Sequence, residues 1–170
     1  MRIELEKAGK SGEFRQVLQA DELSLDDHEL HLIGPAEIVG RIDRKADGVE
    51  LRGHLRAIIE AACARCLKPV QLPIEVDFTE RFVPAVGWRL EEQHELREED
   101  LNLAVFDGEA VELNDLVREE ILLAMPGQVL CGEDCKGLCP SCGVDRNEKT
   151  CQCENRNVDA RWTALKDLRF

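Results

Sequence analysis

Residues 49–78 read VELRGHLRAIIEAACARCLKPVQLPIEVDF, and polar and apolar side chains alternate along most of this stretch. From residue 49 to residue 63 every second position is apolar or small, and most positions between them are charged or polar. The alternation stops at residues 63–69 and resumes over residues 70–78. A period of two residues is typical of a half-buried antiparallel strand. We therefore predict two long strands whose connection carries Cys63 and Cys66.

A third strand is predicted just before this pair. Residues 36–43 also alternate, and the sequence KADG at residues 45–48 supplies turn-forming residues before the next strand. Pro73 has no amide hydrogen, so the strand that contains it should lie at a sheet edge or carry a bulge. Since strands this long twist strongly, we predict an antiparallel meander that forms a small barrel or a curved sheet.

The spacing of apolar residues becomes helical in residues 111–124, VELNDLVREEILLA. Asn114 is the expected N-cap, and Pro126 and Gly127 should end the helix. The apolar stripe consists of Leu113, Leu116, Val117, Ile121 and Ala124. We expect this helix to cover the sheet and to serve the core.

Three other segments complete the prediction. Residues 1–33 read as a strand followed by a short irregular or helical piece, with Phe14–Leu18 as the helical part. Residues 86–100 carry many acidic groups and should form an exposed loop. Asp159 can cap a short C-terminal helix. The shared apolar face of that helix would comprise Trp162, Leu165 and Leu168.

Six of the eight cysteines lie in LCGEDCKGLCPSCGVDRNEKTCQC, residues 130–153. Its centre is CPSCG, in which Cys139 and Cys142 are separated by two residues, so that both thiolates can face one tetrahedral zinc ion. Gly143 allows a tight turn past the metal, and Pro140 fixes the local backbone. This spacing, followed by further cysteines, strongly indicates a zinc site.

The partners of Cys139 and Cys142 stay open at this point. Four of the six cysteines in residues 130–153 should bind the metal. The second pair could be Cys151 and Cys153, or it could be Cys131 and Cys135, or one residue from each of these pairs. All-cysteine ligation favours a structural role, because catalytic zinc keeps an open position. The segment has few large apolar residues, so metal binding would supply the stability that burial does not.

Cys63 and Cys66 have the same two-residue spacing but are a weak signal alone. Eight cysteines suffice for two four-sulfur sites, so this pair could belong to a second Zn²⁺ site; an inert buried pair is the alternative. A redox-active pair is disfavoured, because such motifs begin a helix in a βαβ unit, whereas this pair joins two antiparallel strands.

The net charge of −13 argues against binding bare nucleic acid through overall charge. The deficit is local: residues 74–120 carry 15 acidic and four basic residues, whereas residues 36–74 carry seven basic and five acidic ones. The N-terminal sequence MRIELEKAGK has no apolar core of a signal peptide, and no long apolar run exists. We expect a cytoplasmic protein, in which thiols stay reduced and clustered cysteines hold metal.

The predicted class is α+β with two parts. Residues 1–127 form the β domain with its covering helix, and residues 128–170 form a Cys-rich, zinc-knuckle tail that ends in a short helix. His28, His31, His54 and His94 lack metal-ligand spacing with the cysteines. No nuclease-like set of carboxylates and histidines is recognisable, so we expect no enzymatic activity.

Several motifs together resemble one protein family. These are AACARCLKPV at residues 61–70, REEILLAMP at residues 118–126, the cysteine segment at residues 130–153 and DARWTALKDL at residues 159–168. They resemble the YceD family, the bacterial and plastid group named for accumulation of the large ribosomal RNA subunit. The resemblance implies a non-enzymatic factor that supports synthesis, processing or stability of large-subunit rRNA, through ribosome assembly.

An acidic chain could serve rRNA in two ways. The outer face of the meander could contact phosphates, or the acidic segment at residues 74–120 could hold a basic ribosomal protein. The candidate RNA-contacting residues are Arg41, Arg52, Arg56, Arg65 and Lys68. A redox-switched zinc chaperone is the alternative function, with Cys151 and Cys153 as the pair that fits it. We expect neither a membrane partner nor a small-molecule substrate.

Overall fold

The computed structural model describes residues 2–4, 10–25, 30–85, 103–107 and 109–153. The strands are β1 (Arg2–Glu4), β2 (Ser11–Leu18), β3 (Leu30–Leu32), β4 (Ala36–Arg44), β5 (Val49–Ala62), β6 (Pro69–Pro84), β7 (Leu103–Phe106) and β8 (Ala110–Glu112). The helix found in the described residues is α1 (Leu113–Ala124). It is not long and apolar enough to cross a membrane.

The predicted meander of three strands is confirmed. β4, β5 and β6 pair antiparallel in chain order. The register between β5 and β6 runs without a bulge from Val49 opposite Phe82 to Ala62 opposite Pro69. On β5 the alternation separates buried from exposed side chains: Leu51, Leu55 and Ile59 are fully buried, whereas arginines point outward. The tip of this long hairpin therefore holds Cys63 and Cys66.

The sheet is open and curved, so the barrel alternative does not apply. It has six strands in the order β2, β4, β5, β6, β7, with β3 also paired to β5. β7 runs parallel to β6 but pairs only with residues 81–84. Pro73 therefore lies where β6 has no outer partner among the described strands, which is where a residue without an amide hydrogen does no harm.

The covering helix is present with two differences from its prediction. Leu113, Leu116, Val117 and Ile121 are buried in the same core as the sheet residues, but Ala124 is exposed. The N-cap is Glu112 rather than Asn114, because β8 leads directly into the helix. The Asn114 amide instead donates a hydrogen bond to the Glu22 carbonyl oxygen at 3.1 Å, which ties the helix to the N-terminal part.

The helical assignment of Phe14–Leu18 was wrong. These residues belong to β2, which pairs with β4 from Ser11 opposite Asp43 to Leu18 opposite Ala36. The burial of β2 follows a period of two, with Phe14 and Leu18 on the inner side. The long exposed edge of β4 offered a backbone partner that outweighs local helical preference. The predicted loop at residues 86–100 and the C-terminal helix with Asp159, Trp162, Leu165 and Leu168 lie outside the described residues.

Two glycines face each other in the middle of the sheet. Gly40 on β4 pairs with Gly53 on β5. The rings of Phe14 and Phe78 cover the gap: a Cβ on Gly40 would lie 2.9 Å from the Phe14 ring, and one on Gly53 would lie 2.8 Å from the Phe78 ring. Glycines at such positions let a sheet bend and let aromatic rings pack on bare backbone.

We predict that Gly53→Ala lowers the free energy of unfolding by about 1–3 kcal/mol, because the added methyl group overpacks against the ring and the neighbouring strand. Urea unfolding monitored by circular dichroism measures this. The control is Gly127→Ala, since nothing lies within 4 Å of a Cβ at that glycine. The free energy of unfolding of this control should stay within about 0.5 kcal/mol of the wild-type value. Equal stability of both variants would contradict the close packing at the glycine pair.

Candidate metal centres

All eight cysteines gather into two clusters of four. Cluster 1 consists of Cys63, Cys66, Cys131 and Cys135, and cluster 2 consists of Cys139, Cys142, Cys151 and Cys153. Within each cluster all Sγ atoms lie within 4.8 Å of one another. Cys139 and Cys142 are thus joined by Cys151 and Cys153, one of the alternatives left open by the sequence. Cys131 and Cys135 instead join the pair from the hairpin tip.

The sulfur separations fit a metal ion rather than disulfide bonds. In cluster 1 the Sγ atoms of Cys63 and Cys135 are 3.9 Å apart, and those of Cys66 and Cys131 are 3.5 Å apart. Two thiolates bound to one tetrahedral zinc at ~2.3 Å would be ~3.8 Å apart. Sulfurs in a disulfide would be ~2.0 Å apart, and all eight cysteines are free. Each cluster could therefore hold one metal ion.

The turn from Cys139 to Gly143, called a knuckle below, is closed by two backbone hydrogen bonds. The Gly143 amide donates to the Cys139 carbonyl oxygen at 2.9 Å, and the Cys139 amide donates to the Val144 carbonyl oxygen at 2.8 Å. Gly143 has a φ of 72°, a left-handed conformation in which glycine carries no steric penalty. The turn points the two sulfurs of Cys139 and Cys142 to the same side.

The hairpin tip repeats this turn residue for residue. The Leu67 amide donates to the Cys63 carbonyl oxygen at 2.9 Å, and the Cys63 amide donates to the Lys68 carbonyl oxygen at 2.8 Å. Leu67 occupies the position that corresponds to Gly143, and its φ is 61°. Because a leucine stands where a glycine is usual, the sequence conceals a second knuckle at Cys63–Leu67.

Cluster 1 joins the hairpin tip to the tail, and backbone contacts surround it. The Ala64 amide donates to the Val129 carbonyl oxygen at 2.8 Å, and the Leu138 amide donates to the Arg65 carbonyl oxygen at 3.0 Å. Gly137 passes so close that a Cβ there would lie 2.8 Å from the Arg65 carbonyl oxygen. These contacts hold the tail segment against β5 and β6 at their shared end.

The cations of the hairpin tip serve this junction. The Arg65 guanidinium donates to the carbonyl oxygens of Glu133 at 3.1 Å and Cys135 at 2.9 Å. The Lys68 ammonium lies 2.8 Å from the Asp145 carboxylate and 2.7 Å from that of Glu148. The hydrogen bonds to Asp145 and Glu148 raise the pKa of Lys68, and the bond to Lys68 lowers the pKa of Asp145. Both side chains thus bind the tail.

The thiol pKa values show that each cluster is suited to a cation. Hydrogen bonds from the backbone at Arg65 and Cys131 lower the pKa of Cys63 to about 6, and those from Cys142 and Ser141 lower that of Cys139 to about 6. Neighbouring sulfurs have the opposite effect elsewhere. Cys135 raises the pKa of Cys131 to about 12, and Cys142 raises that of Cys153 to about 12. Thiolates packed this closely repel one another, and a bound cation would relieve that repulsion.

The two clusters differ in burial. In cluster 1 only Cys131 is exposed, and Val70, Leu130 and Leu138 pack against the buried sulfurs. In cluster 2 only Cys139 is buried, and Cys142 and Cys153 are exposed. Cluster 1 therefore has an apolar shell within the fold, whereas cluster 2 is open to solvent on one side.

The arginines of the meander are engaged by carboxylates. The side-chain separations are 3.0 Å for Arg41 and Asp43, 2.8 Å for Arg52 and Glu50, and 3.5 Å for Arg56 and Glu75. Arg65 and Lys68 lie at the tail junction described above. The structure therefore places the five candidate RNA-contacting residues at two separate locations, each beside acidic or carbonyl oxygens.

A comparison with protein families adds to this geometry. The family model described as "Large ribosomal RNA subunit accumulation protein YceD" matches residues 51–169, which include both cysteine clusters. The chain belongs to the YceD family. No solved structure matches it.

Relatives in this family come from bacteria and a plant. An uncharacterized protein of Mycobacterium tuberculosis is 31% identical over 128 residues, covering 75% of this chain and 59% of that protein. The chain thus spans less than two thirds of the length of this relative. The YlbN protein of Bacillus subtilis is 26% identical over 94% of this chain and 88% of its own length. A chloroplastic protein of Zea mays, named "Large ribosomal RNA subunit accumulation protein YCED homolog 1", is 27% identical over 69% of this chain and 48% of its own length.

The equivalence of the two knuckles yields a pair of opposite predictions. Leu67 is 63% exposed, so Leu67→Gly removes the left-handed strain with little loss of packing. It should raise the free energy of unfolding by about 0.5–1 kcal/mol. This is the penalty of ~1–2 kcal/mol for a non-glycine residue in the left-handed conformation, reduced by the entropy that glycine loses on folding. Gly143→Ala has open space for its methyl group and should lower the free energy of unfolding by a similar amount. Denaturant unfolding of the metal-loaded protein measures both, and equal signs would contradict the equivalence.

Proposed function

We propose that the chain is a non-enzymatic, zinc-containing factor that supports production of large-subunit rRNA during ribosome assembly. The observation that carries this proposal is the YceD family match across residues 51–169, within which all eight cysteines are gathered into metal-ready clusters. The description of the family favours a ribosomal role over a redox-switched chaperone. The proposed partner is a precursor particle of the large subunit.

Zinc is the metal that we propose for both clusters. Four thiolate donors at tetrahedral spacing suit zinc or an iron–sulfur centre. Closed four-cysteine sites are typical of structural zinc, which supplies folding energy and no reactive position. In cluster 1, amide groups also donate to the sulfurs: the Cys131 amide to Cys63 Sγ at 3.4 Å, and the Asn147 side chain to Cys135 Sγ at 3.4 Å. Such donors orient thiolate ligands around a metal.

The contacts of His54 argue against this one histidine as a catalytic base, in keeping with the non-enzymatic role proposed. It lies on the outer face of β5, away from both clusters. Its Nδ1 is 2.8 Å from the Asp77 carboxylate, and its Nε2 accepts a hydrogen bond from Arg56 at 3.2 Å. Because both ring nitrogens are engaged, this histidine is poorly placed to act as a general base.

We expect two zinc ions per chain by native mass spectrometry, and the mass distinguishes them from iron. Cys66→Ser should remove one ion and release the tail from the hairpin, and Cys142→Ser should remove the other and leave that junction protected from proteolysis. Ser141→Ala, which lies between Cys139 and Cys142 of cluster 2, is the control that should keep both ions. A freshly reduced wild-type protein without metal, or with iron, would refute the zinc assignment.

In cells, depletion of the protein should lower large-subunit rRNA relative to small-subunit rRNA, because precursor particles lose a factor that supports them. Quantitative RNA sequencing measures the ratio, and gradient sedimentation should place the protein with large-subunit precursors. Re-expression of the wild type should restore the ratio, whereas the Cys66→Ser/Cys142→Ser variant should not. An unchanged ratio on depletion would refute the proposed function.

A further inference from the structure

Most cations of the described residues already have oxygen partners. Besides the pairs at the meander and the hairpin tip, Arg15 pairs with Glu37, Arg81 with Asp47, and Lys45 with Glu50 at 3.4 Å. A side chain held by a carboxylate must give up that partner before it can neutralise a phosphate. In so acidic a chain, the cations without such a partner are the ones available for an anionic ligand.

Three such cations meet at cluster 2. Lys136, Arg146 and Lys149 line a cleft of about 380 Å³, together with Pro140, Ser141, Thr150 and three cysteines of cluster 2: Cys139, Cys151 and Cys153. Within the described part of the chain, none of their side chains forms an ion pair. The carboxylates of Asp145 and Glu148, which flank Arg146 and Lys149 in the sequence, both pair with Lys68 from the hairpin tip.

The backbone holds these three residues in fixed positions. The Lys136 amide donates to the Asn147 side-chain oxygen at 2.8 Å. The Arg146 amide donates to the Gly137 carbonyl oxygen and the Lys149 amide to the Asp145 carbonyl oxygen, each at 3.0 Å. The backbone positions of these three cations are therefore set by the turn at cluster 2 and by its junction with the hairpin.

We propose that this cleft is where the protein contacts the phosphodiester backbone of RNA, in place of the arginines of the meander. The proposal rests on the proposed function and names the ligand and its site. Lysine and arginine neutralise phosphates, and the hydroxyl groups of Ser141 and Thr150 can donate to phosphate oxygens. None of the described residues that line the cleft is aromatic. Recognition is therefore of the backbone rather than of stacked bases, and it depends strongly on salt.

The test compares two triple variants that remove the same number of charges. The cleft variant is Lys136→Gln/Arg146→Gln/Lys149→Gln, and the matched meander variant is Arg41→Gln/Arg52→Gln/Arg56→Gln. Fluorescence anisotropy with a labelled single-stranded fragment of large-subunit rRNA gives the affinity at several salt concentrations. The slope of log affinity against log salt should fall in magnitude by about 2 in the cleft variant, at ~0.7 per lost contact. It should stay unchanged in the meander variant.

Two further measurements test whether the three cations bind phosphate or only neutralise the charge of the cluster 2 thiolates. The charge-preserving variant Lys136→Arg/Arg146→Lys/Lys149→Arg should keep the affinity and the slope. Native mass spectrometry should give the same metal content for all variants. Loss of metal with RNA affinity retained would assign the cations to charge balance and overturn the proposal. If the cleft triple variant loses both metal and RNA affinity, the single variants Lys136→Gln and Lys149→Gln are measured instead. Each should keep its metal and change the slope by about 0.7 if the cations bind phosphate.

The inference and the proposed function can fail independently. Retained affinity and slope in the cleft variant, or their loss in the meander variant, would overturn the cleft as the RNA site even where depletion lowers the rRNA ratio. An unchanged rRNA ratio would refute the cellular role even where RNA binding depends on the cleft.

Discussion

The junction between the hairpin tip and the tail is the constraint on which the rest of the molecule depends. The tail from residue 131 to residue 153 has few large apolar residues, so it cannot form a core by itself. It gains order by contributing Cys131 and Cys135 to a cluster whose other half lies at the end of the longest hairpin. The second cluster and the basic cleft are then built on a segment whose position this junction has already fixed.

Much of the fold could be predicted because its periodicity is strong. Alternation over residues 36–78 identified three strands, and helical spacing identified α1, since burial on one side leaves a clear record in sequence. The incorrect predictions concern segments whose structure depends on contacts with residues distant in sequence. The segment Phe14–Leu18 forms a strand because it pairs with the edge of β4. Asn114 is not the N-cap because β8 continues directly into the helix, which places Glu112 at that position. Neither partner is visible in the local sequence.

The candidate site was predictable in its chemistry and only partly in its arrangement. The CPSCG spacing placed Cys139 and Cys142 together in one cluster, as the structure has them. The similar turn at Cys63–Leu67 was not recognised, because leucine and not glycine fills its left-handed position. Two of the three meander arginines, Arg41 and Arg52, pair with Asp43 and Glu50 on their own strands. The register places Arg56 opposite Glu75, so its partner on the neighbouring strand becomes visible only once the strands are paired.

The separation of the cysteines along the chain has a consequence for biosynthesis. Cys66 and Cys131 are 65 positions apart, whereas cluster 2 lies within the short segment 139–153. At ~5–20 residues per second, the ribosome needs about 3–13 seconds to make the second half of cluster 1 after the first. During that interval the thiols of Cys63 and Cys66 lack the other two cysteines of their cluster, Cys131 and Cys135. The four cysteines of cluster 2 are synthesised in quick succession. Cys63 and Cys66 are therefore the pair that is exposed to oxidation for longer during translation.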